Sequence, residues 1–302
     1  MKTIAISLAS LFIIACGPGS QTPAPGSGKP RVAAVNFPLA EFAHAIGGDH
    51  IEVHFPQIEG DPAFWKPTAE EIRTFQSADL ILLNGADYAK WCKAASLPPA
   101  KTVDTSAGFR GKFIPVKDAK THKHGKAGEH SHAGTAFTTW LDLKLALQQA
   151  EAIHARLIKL LPDHETEITA NYKKLETDLR ALDTELTAVA TQFKNIPLLG
   201  SHPVYQYLAH GYGLDIKSLH WEPDTMPDEA GWTELENITK THPAALMLWE
   251  DEPTSAIAEK LTKDHGITGI IFNPGGNRLE NKSWLEGMQE NIARLKAGAP
   301  KK

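Results

Sequence analysis

Residues 163–193 carry a long apolar repeat that limits the possible folds more than any other stretch of the chain. Its apolar residues recur at alternating steps of four and three, which places them on one face of a continuous helix. Pro162 precedes the repeat and Pro197 follows it, so the helix has clear ends, and at 1.5 Å per residue it would be about 45 Å long. The apolar face comprises Ile168, Tyr172, Leu175, Leu179, Leu182, Leu186, Val189 and Phe193.

A helix of this kind has two possible roles. The spacing is that of a heptad repeat, so the face could pair with a second copy of the chain as a dimeric coiled coil. Alternatively, the face could be the spine of a larger fold. The segments on both sides are rich in strand patterns that need an apolar surface to pack against. This arrangement favours the spine, and we expect the protein to be a monomer.

Short apolar strands alternate with helical segments on both sides of the long helix. This alternation predicts the α/β class: two lobes with mostly parallel sheets, at residues 31–140 and 196–302, joined by connecting helices at residues 141–195. Ligands of open parallel sheets bind beyond the carboxyl ends of the strands, so a ligand cleft is expected between the lobes. Strands are predicted at residues 31–37, 51–55, 79–84, 102–105, 197–201, 216–220, 244–249 and 269–272.

The first residues form a targeting segment rather than part of the fold. Lys2 precedes an apolar run that is too short to span a bilayer but fits a signal peptide at residues 1–15. The run ends at Cys16 in a sequence that resembles a bacterial lipobox, where the cysteine is lipidated and anchors the protein to the membrane. An ordinary signal peptide with a chance cysteine is the alternative. Residues 16–30 are rich in Gly, Pro and Ser and read as a flexible tether.

The composition excludes several classes of protein. A chain of 302 residues with 42% hydrophobic and 22% charged residues is long enough for two globular domains. Its net charge of -5 gives no reason to expect a nucleic-acid partner. If Cys16 carries lipid, Cys92 has no partner within the chain, so neither a disulfide framework nor a cysteine-based zinc site is expected.

Residues 117–134 form a polar, glycine-containing segment with four histidines. Imidazole suits zinc, copper and nickel, and a flexible loop can gather two or three such ligands without a preformed cage. The segment is therefore interpreted as an auxiliary metal-binding loop, with an ordinary solvated loop as the alternative. Its histidines are His122, His124, His130 and His132.

Several motifs together resemble one family. A lipobox, two α/β lobes, a long connecting helix and a His-rich segment before Trp140-Leu-Asp are similar to the zinc and manganese substrate-binding lipoproteins of bacterial ABC transporters (ZnuA-like proteins). The motif Gly200-Ser-His202 and the first-lobe motifs Asp61-Pro62 and Asn84-Gly85 belong to the same pattern. The resemblance, which spans residues 31–295, implies a protein that captures zinc, or manganese as the second ion, outside the cytoplasm and hands it to an ABC permease.

The family's four metal-ligand positions are altered in this chain. They fall on Ala63, Thr138, His202 and Asn273, and only His202 keeps the expected residue type. A methyl group cannot bind a metal, and hydroxyl and amide groups are weak zinc donors. The usual site cannot be carried over intact, so other side chains must replace the missing donors or the ligand is not a bare ion.

The second lobe offers replacements at its predicted strand ends. With His202 they could form a set of two imidazoles and a carboxylate, which is acceptable zinc chemistry. Each of them could instead be a helix cap or an ion-pair partner. The candidate metal ligands are His202, His220, Glu222, Glu250 and Glu252, with Asp251 between the last two.

Four tryptophans also fall near strand ends or expected ligand positions. They could wall off an ion or stack on an organic ligand, with core packing as the alternative. A metal chelate or a small organic solute is therefore the second functional hypothesis. A metal-dependent hydrolase is the third, but the chain lacks His-Glu-x-x-His, Gly-x-Ser-x-Gly and a phosphate-binding glycine loop, so no enzyme activity is expected. The candidate cleft-lining residues are Trp65, Trp140, Trp221 and Trp249.

Overall fold

The predicted long helix is present and is preceded and followed by single 3-10 turns. A computed structural model describes residues 28–116, 121–124, 128–131 and 134–300. Helix α4 spans Glu165–Ala190 and continues into the turn Thr191–Phe193. It starts two residues later than the pattern predicted because Pro162–His164 form a separate turn. All eight residues of the predicted apolar face are buried.

Helices from both ends of the chain cover the apolar face of α4. It packs against α3 (Leu143–Leu160), against α1 (Phe37–Gly47) and against α8 (Trp284–Ala297). Because the first lobe supplies α1 and the second supplies α8, the long helix is the spine on which both lobes rest. Its apolar face is buried within one chain, so the coiled-coil alternative has no surface left to use.

The first lobe contains a four-stranded parallel sheet in the order β2-β1-β3-β4. Helix α2 (Ala69–Ser77) precedes β3 and begins with a capping box in which Thr68 and Glu71 satisfy each other's backbone N–H groups. The strands are β1 (Arg31–Ala34), β2 (Glu52–His54), β3 (Leu80–Leu83) and β4 (Thr102–Asp104).

Four short strands follow the parallel sheet of the first lobe. Strand β5 (Pro115–Val116) pairs with β8 (Gly134–Thr135). Between them, β6 (Thr121–His124) and β7 (Gly128–Ser131) form an antiparallel pair, with His122 directly opposite His130. Within the predicted His-rich loop at residues 117–134, these eight residues therefore form strands, because antiparallel pairing satisfies their backbone groups.

The second lobe repeats the parallel arrangement in the order β10-β9-β11-β12. The strands are β9 (Pro197–Gly200), β10 (Asp215–Ser218), β11 (Leu246–Trp249) and β12 (Thr268–Ile271). The helices between and after them are α5 (Gln206–Tyr212), α6 (Glu229–Thr241), α7 (Ser255–His265) and α8. Two parallel-sheet lobes on one long helix confirm the predicted fold class.

The N-terminal segment falls outside the described residues. The predicted signal peptide, Cys16 and most of the tether precede residue 28, and His132 also lies outside the described ranges. Within those ranges, no helix combines the length and apolar character that crossing a membrane requires.

Candidate functional site

A small cavity lies between the lobes, at the carboxyl ends of both sheets. Its volume is about 200 Å³, and the two lobes contribute to its wall in roughly equal measure. This is the position at which parallel sheets bind their ligands. The polar side chains around it belong to Asp61, Tyr88, Thr138, Glu250, Asp251, Asn273 and Asn277.

Hydrogen bonds across the cleft hold the two lobes together around the cavity. The Trp140 indole N–H donates to the carbonyl of Pro274 at 2.7 Å, and the Thr138 hydroxyl donates to the carbonyl of Val204 at 2.5 Å. The backbone N–H of Phe37, at the start of α1, donates to the carbonyl of Gly276 at 2.9 Å. These bonds fix the relative position of the groups that face the cavity.

His202, the one family ligand position that keeps its residue type, is not among the residues that line the cavity but lies beside two other predicted ligands. It lies two residues after β9, its side chain is only 2% exposed, and its Nδ1 lies 3.5 Å from Oε1 of Glu222. The ring of His220 is 5.8 Å away, nearly perpendicular to that of His202. A carboxylate beside one nitrogen of a histidine is the usual arrangement for orienting the other nitrogen toward a metal. The structure thus brings together three of the predicted ligands.

The three altered family positions are engaged in internal contacts. Ala63 is buried, and its N–H donates to Oδ1 of Asp61 at 2.8 Å. The Thr138 hydroxyl forms the cross-lobe bond described above. Oδ1 of Asn273 accepts a hydrogen bond from the N–H of Gly275 at 2.8 Å. Thr138 and Asn273 still face the cavity, but each already uses the polar group that would have to bind a metal.

Carboxylates accumulate on the second-lobe side of the cleft. Burial, and then the neighbouring charges of Asp61, Glu222 and Asp251, raise the pKa of Glu250 well above its ordinary value. These surroundings therefore disfavour the charged form of Glu250 when no cation is bound. A divalent cation would favour the charged form and compensate the neighbouring negative charges.

Three of the predicted ligands line other cavities of the second lobe. Glu252 is exposed and lines a separate cavity of about 480 Å³. His220 and Glu222 border a wider groove of about 1480 Å³ on the second lobe. Of the carboxylates proposed from sequence, Glu250 and Asp251 line the cleft cavity itself, whereas Glu252 lines only the separate one.

The four tryptophans have different positions. Trp140 lines the cavity, and Trp221 borders the wider groove. Trp249 has no exposed surface and packs in the second lobe's core beside Trp221, so it lines no cleft. Trp65 packs edge-on against Trp91, at 5.7 Å between ring centroids, in the first lobe. Trp140 thus lines the cleft as predicted. Trp65 and Trp249 do not, because their indole rings pack against other aromatic side chains.

Two cleft residues were not identified as site residues from the sequence. Asp61 lines the cavity just before Ala63. The Tyr88 side chain is buried against Trp140, and its hydroxyl has no hydrogen-bond partner among the described residues. Burial, and then the charge of Asp61, raise the pKa of this phenol well above its ordinary value. Its place shortly after β3, at the carboxyl end of a strand, was the signal that could have identified it.

The cleft donors are adjacent rather than fully assembled. All of the candidate ligands in the second lobe are described, and no three of them hold histidine or carboxylate donor atoms within 4.8 Å of one another. Binding an ion through three protein ligands would therefore require small side-chain rotations.

Comparison with known proteins decides the family. The family model of the zinc-uptake complex component A, periplasmic (ZnuA), matches residues 32–298. The chain belongs to the ZnuA family. ZnuA proteins are binding components of an uptake complex, so the expectation of a binding protein rather than an enzyme is confirmed.

Curated ZnuA relatives match along nearly the whole chain. The zinc-binding lipoprotein AdcA of Streptococcus pneumoniae is 26% identical over 310 residues, which cover 98% of this chain but only 61% of AdcA. This chain thus spans about three fifths of that relative. The high-affinity zinc uptake system protein ZnuA of Bacillus subtilis is 26% identical over 307 residues, covering 96% of this chain and 95% of the relative.

A solved structure supports the same fold. Zn(II)-bound AdcA from Streptococcus pneumoniae superimposes with a TM-score of 0.77 at 22% identity, covering 91% of this chain and 59% of that chain. At this level of identity the likeness concerns the ZnuA fold and not its ligands.

Proposed function

We propose that this chain captures zinc outside the cytoplasm and delivers it to an ABC permease, with the ion held in the cleft beside His202. The observation that carries the proposal is a buried histidine at the carboxyl end of β9, with a carboxylate 3.5 Å from one of its nitrogens. The ZnuA family assignment and the name of the Bacillus subtilis relative, a high-affinity zinc uptake protein, support zinc as the cargo.

The proposed ligands come from the second lobe, since the first lobe has lost both of its family histidines. His202, His220 and Glu222 are adjacent, and Glu250 approaches from the cavity side. Two imidazoles and a carboxylate form an established zinc set. The mutual repulsion of the cleft carboxylates disfavours their convergence without a cation, and the ion itself supplies the charge that allows it.

At the cleft cavity beside Glu250, the small volume favours a bare ion over an organic solute. At about 200 Å³, it is smaller than the roughly 300–1,000 Å³ that sites for organic ligands occupy. The aromatic residues Tyr88 and Trp140 then serve to exclude water from the ion. Manganese is the second candidate cargo, because the carboxylates of Asp61, Glu250 and Asp251 are the oxygen donors that it prefers.

Metal titration of the purified chain tests the proposal. The loop histidines are replaced by asparagine so that the tightest site can be observed alone, and zinc affinity is measured by competition with a chelator. His202→Ala is expected to weaken that site by at least about 100-fold, the upper end of what loss of an outer-shell partner causes. His210→Ala, an exposed histidine of the same lobe, is the control. Equal zinc affinity in the His202 variant and the control would show that His202 is not a ligand. Tighter binding of manganese than of zinc would identify manganese as the cargo.

The His-rich segment is proposed to collect ions for the cleft. Its strands place His122 opposite His130, so both residues lie at the same register position of the pair. Replacing the four histidines should lower the number of weakly bound zinc ions and leave the tightest affinity unchanged. A loss of the tightest affinity would instead place loop histidines in the cargo site.

We further propose that the chain is a lipid-anchored monomer. Lipidation of Cys16 would hold it on the outer side of a bacterial membrane, and labelling with a radioactive fatty acid should be lost in Cys16→Ala. The internal burial of the apolar face of α4 supports the monomer. Sedimentation equilibrium of the chain without its lipid should give the monomer mass, and a dimer mass would contradict it.

A further inference from the structure

Three potential metal ligands converge at the start of the long helix, away from the cleft. His50 ends a 3-10 turn that follows α1, and His164 ends the turn that precedes α4. Glu167 lies in the first turn of α4, three residues after His164. Helical spacing places residues i and i+3 on the same face, so the local fold directs His164 and Glu167 toward the end of α1.

The donor atoms of this cluster are close to one another. Nε2 of His50 lies 2.8 Å from Oε2 of Glu167, and the rings of His50 and His164 are stacked with their centroids 3.9 Å apart. One donor atom from each residue lies within 4.8 Å of the other two. Among the residues that the structure describes, this is the one set of three His, Cys, Asp or Glu side chains with that property.

The backbone that carries these ligands is held by other contacts. Helix α4 packs against α1, and the Asn171 side-chain amide donates to the carbonyl of Ile46, near the end of α1, at 3.2 Å. The ligands are therefore brought together by packing that does not depend on an ion. Ligands that are already close together lose less conformational entropy on binding, which favours affinity.

The chemistry of the cluster matches a borderline divalent metal. Two imidazoles and one carboxylate are a recognised zinc ligand set, with water in the fourth position. At metal–ligand distances of about 2.0–2.1 Å, two donors of a tetrahedral zinc ion lie about 3.3 Å apart. The donor atoms of His50, His164 and Glu167 can reach this spacing after a small rotation of their side chains. Stacked rings cannot both point a nitrogen at one ion, so one imidazole must turn, which a surface side chain does readily.

The cluster is separate from the cargo cleft. Helix α1 begins at the cleft, where the N–H of Phe37 bonds Gly276, and its 11 residues extend about 16 Å away from it. His50 follows the far end of this helix. We propose that His50, His164 and Glu167 form a second transition-metal site, with zinc as its first candidate, which links the end of α1 to the start of the spine helix. This proposal is independent of the cargo site.

Counting bound zinc tests the second site directly. The background is the full chain with the four loop histidines replaced by asparagine and with His202→Ala, so that the other proposed ligands are weakened. Native mass spectrometry and calorimetric titration with zinc alone are expected to show one equivalent fewer in His50→Asn/His164→Asn than in the background. His44→Asn, an exposed histidine on α1, is the matched control and should retain that equivalent.

Glu167→Gln gives a test that preserves the shape of the site. It removes a charged ligand and should weaken zinc binding at this site by at least about tenfold, while circular dichroism remains that of the background. Zinc should also raise the melting temperature of the background and of His44→Asn, but not that of the double variant. An unchanged zinc count in the double variant, or an unchanged affinity in Glu167→Gln, would show that the cluster is only a histidine–glutamate contact and would overturn the proposal.

Discussion

Trp140 in the first lobe donates a 2.7 Å hydrogen bond from its indole N–H to the carbonyl of Pro274 in the second lobe. The indole is 1% exposed, and the same ring forms part of the cavity wall between the lobes. One side chain therefore contributes both to the cleft and to the contact that sets its width. Together with the Thr138–Val204 bond, it indicates that the lobes are held in place before an ion arrives.

Replacing Trp140 tests the value of this cross-lobe bond. Trp140→Phe leaves the buried carbonyl of Pro274 without its partner, which should cost about 1–3 kcal/mol of unfolding free energy beyond the loss of packing. Trp284→Phe is the matched control, because Trp284 is equally buried but its indole N–H has no partner among the described residues. Urea denaturation measures both. Equal destabilisation by the two changes would mean that the bond contributes nothing.

Glu250 should make the metal-free protein less stable as pH rises. Burial and the neighbouring carboxylates raise the pKa of Glu250 in the folded state, so the folded chain binds this proton more tightly than the unfolded chain. The contribution of this carboxyl to the free energy of unfolding is then greatest below its pKa in the unfolded chain, about 4.3. That contribution is lost as pH rises toward the pKa in the folded chain. The loss is at most about 1.4 kcal/mol per pH unit.

Glu250→Gln removes this titration. The stability of the variant relative to the original chain should therefore increase between pH 5 and pH 7, measured by urea denaturation in the presence of a chelator. Glu252→Gln is the control, since Glu252 is exposed and faces a different cavity. A constant difference between the Glu250 variant and the original chain across this range would contradict the raised pKa of Glu250.

The fold could be read from the sequence because its signals are local and repeated. The apolar residues from Ile168 to Phe193 are spaced alternately four and three residues apart, a spacing that a strand would not show. All eight are buried, as predicted. Strand boundaries were less accurate. The first strand was predicted to reach Phe37 but ends at Ala34, because Asn36 caps α1 by accepting the N–H of Leu39.

The site was harder to predict because it depends on contacts between distant residues. Asp61 and Tyr88 belong to different loops, and only the folded chain shows that both line the cavity with Glu250. The His50–Glu167 contact joins residues 117 positions apart, so no local sequence pattern could predict it. Conversely, Trp249 stands beside Glu250 in the sequence but points into the core, because successive residues leaving a strand face opposite sides.

Cys92 should be nearly inert in the folded protein. Burial raises the pKa of its thiol to about 12, so at pH 8 the reactive thiolate is scarcer by about 1,000-fold than in the unfolded chain. The higher nucleophilicity of a more basic thiolate offsets part of this, leaving a net slowing on the order of 50-fold. Iodoacetamide labelling at pH 8, in a chain begun after Cys16, measures the rate. The denatured chain is the reference, and similar rates in the two states would contradict the prediction.

Gly85 is expected to be essential for the turn that carries Tyr88 into the cleft. Its φ of +72° lies in the left-handed region, and a Cβ atom there would collide with the side chains of Ser106 and Asp104. Gly85→Ala should therefore lower the unfolding free energy by more than about 2 kcal/mol, through strain and steric overlap together. Because the N–H of Tyr88 donates to the carbonyl of Gly85, zinc affinity should fall as well.

Gly108→Ala is the control, since an added Cβ there meets no atom within 4 Å, and its effect should stay within about 0.5 kcal/mol. Urea denaturation and zinc competition on both variants test the turn, and equal stability of the two would show that the backbone at Gly85 can relax without cost.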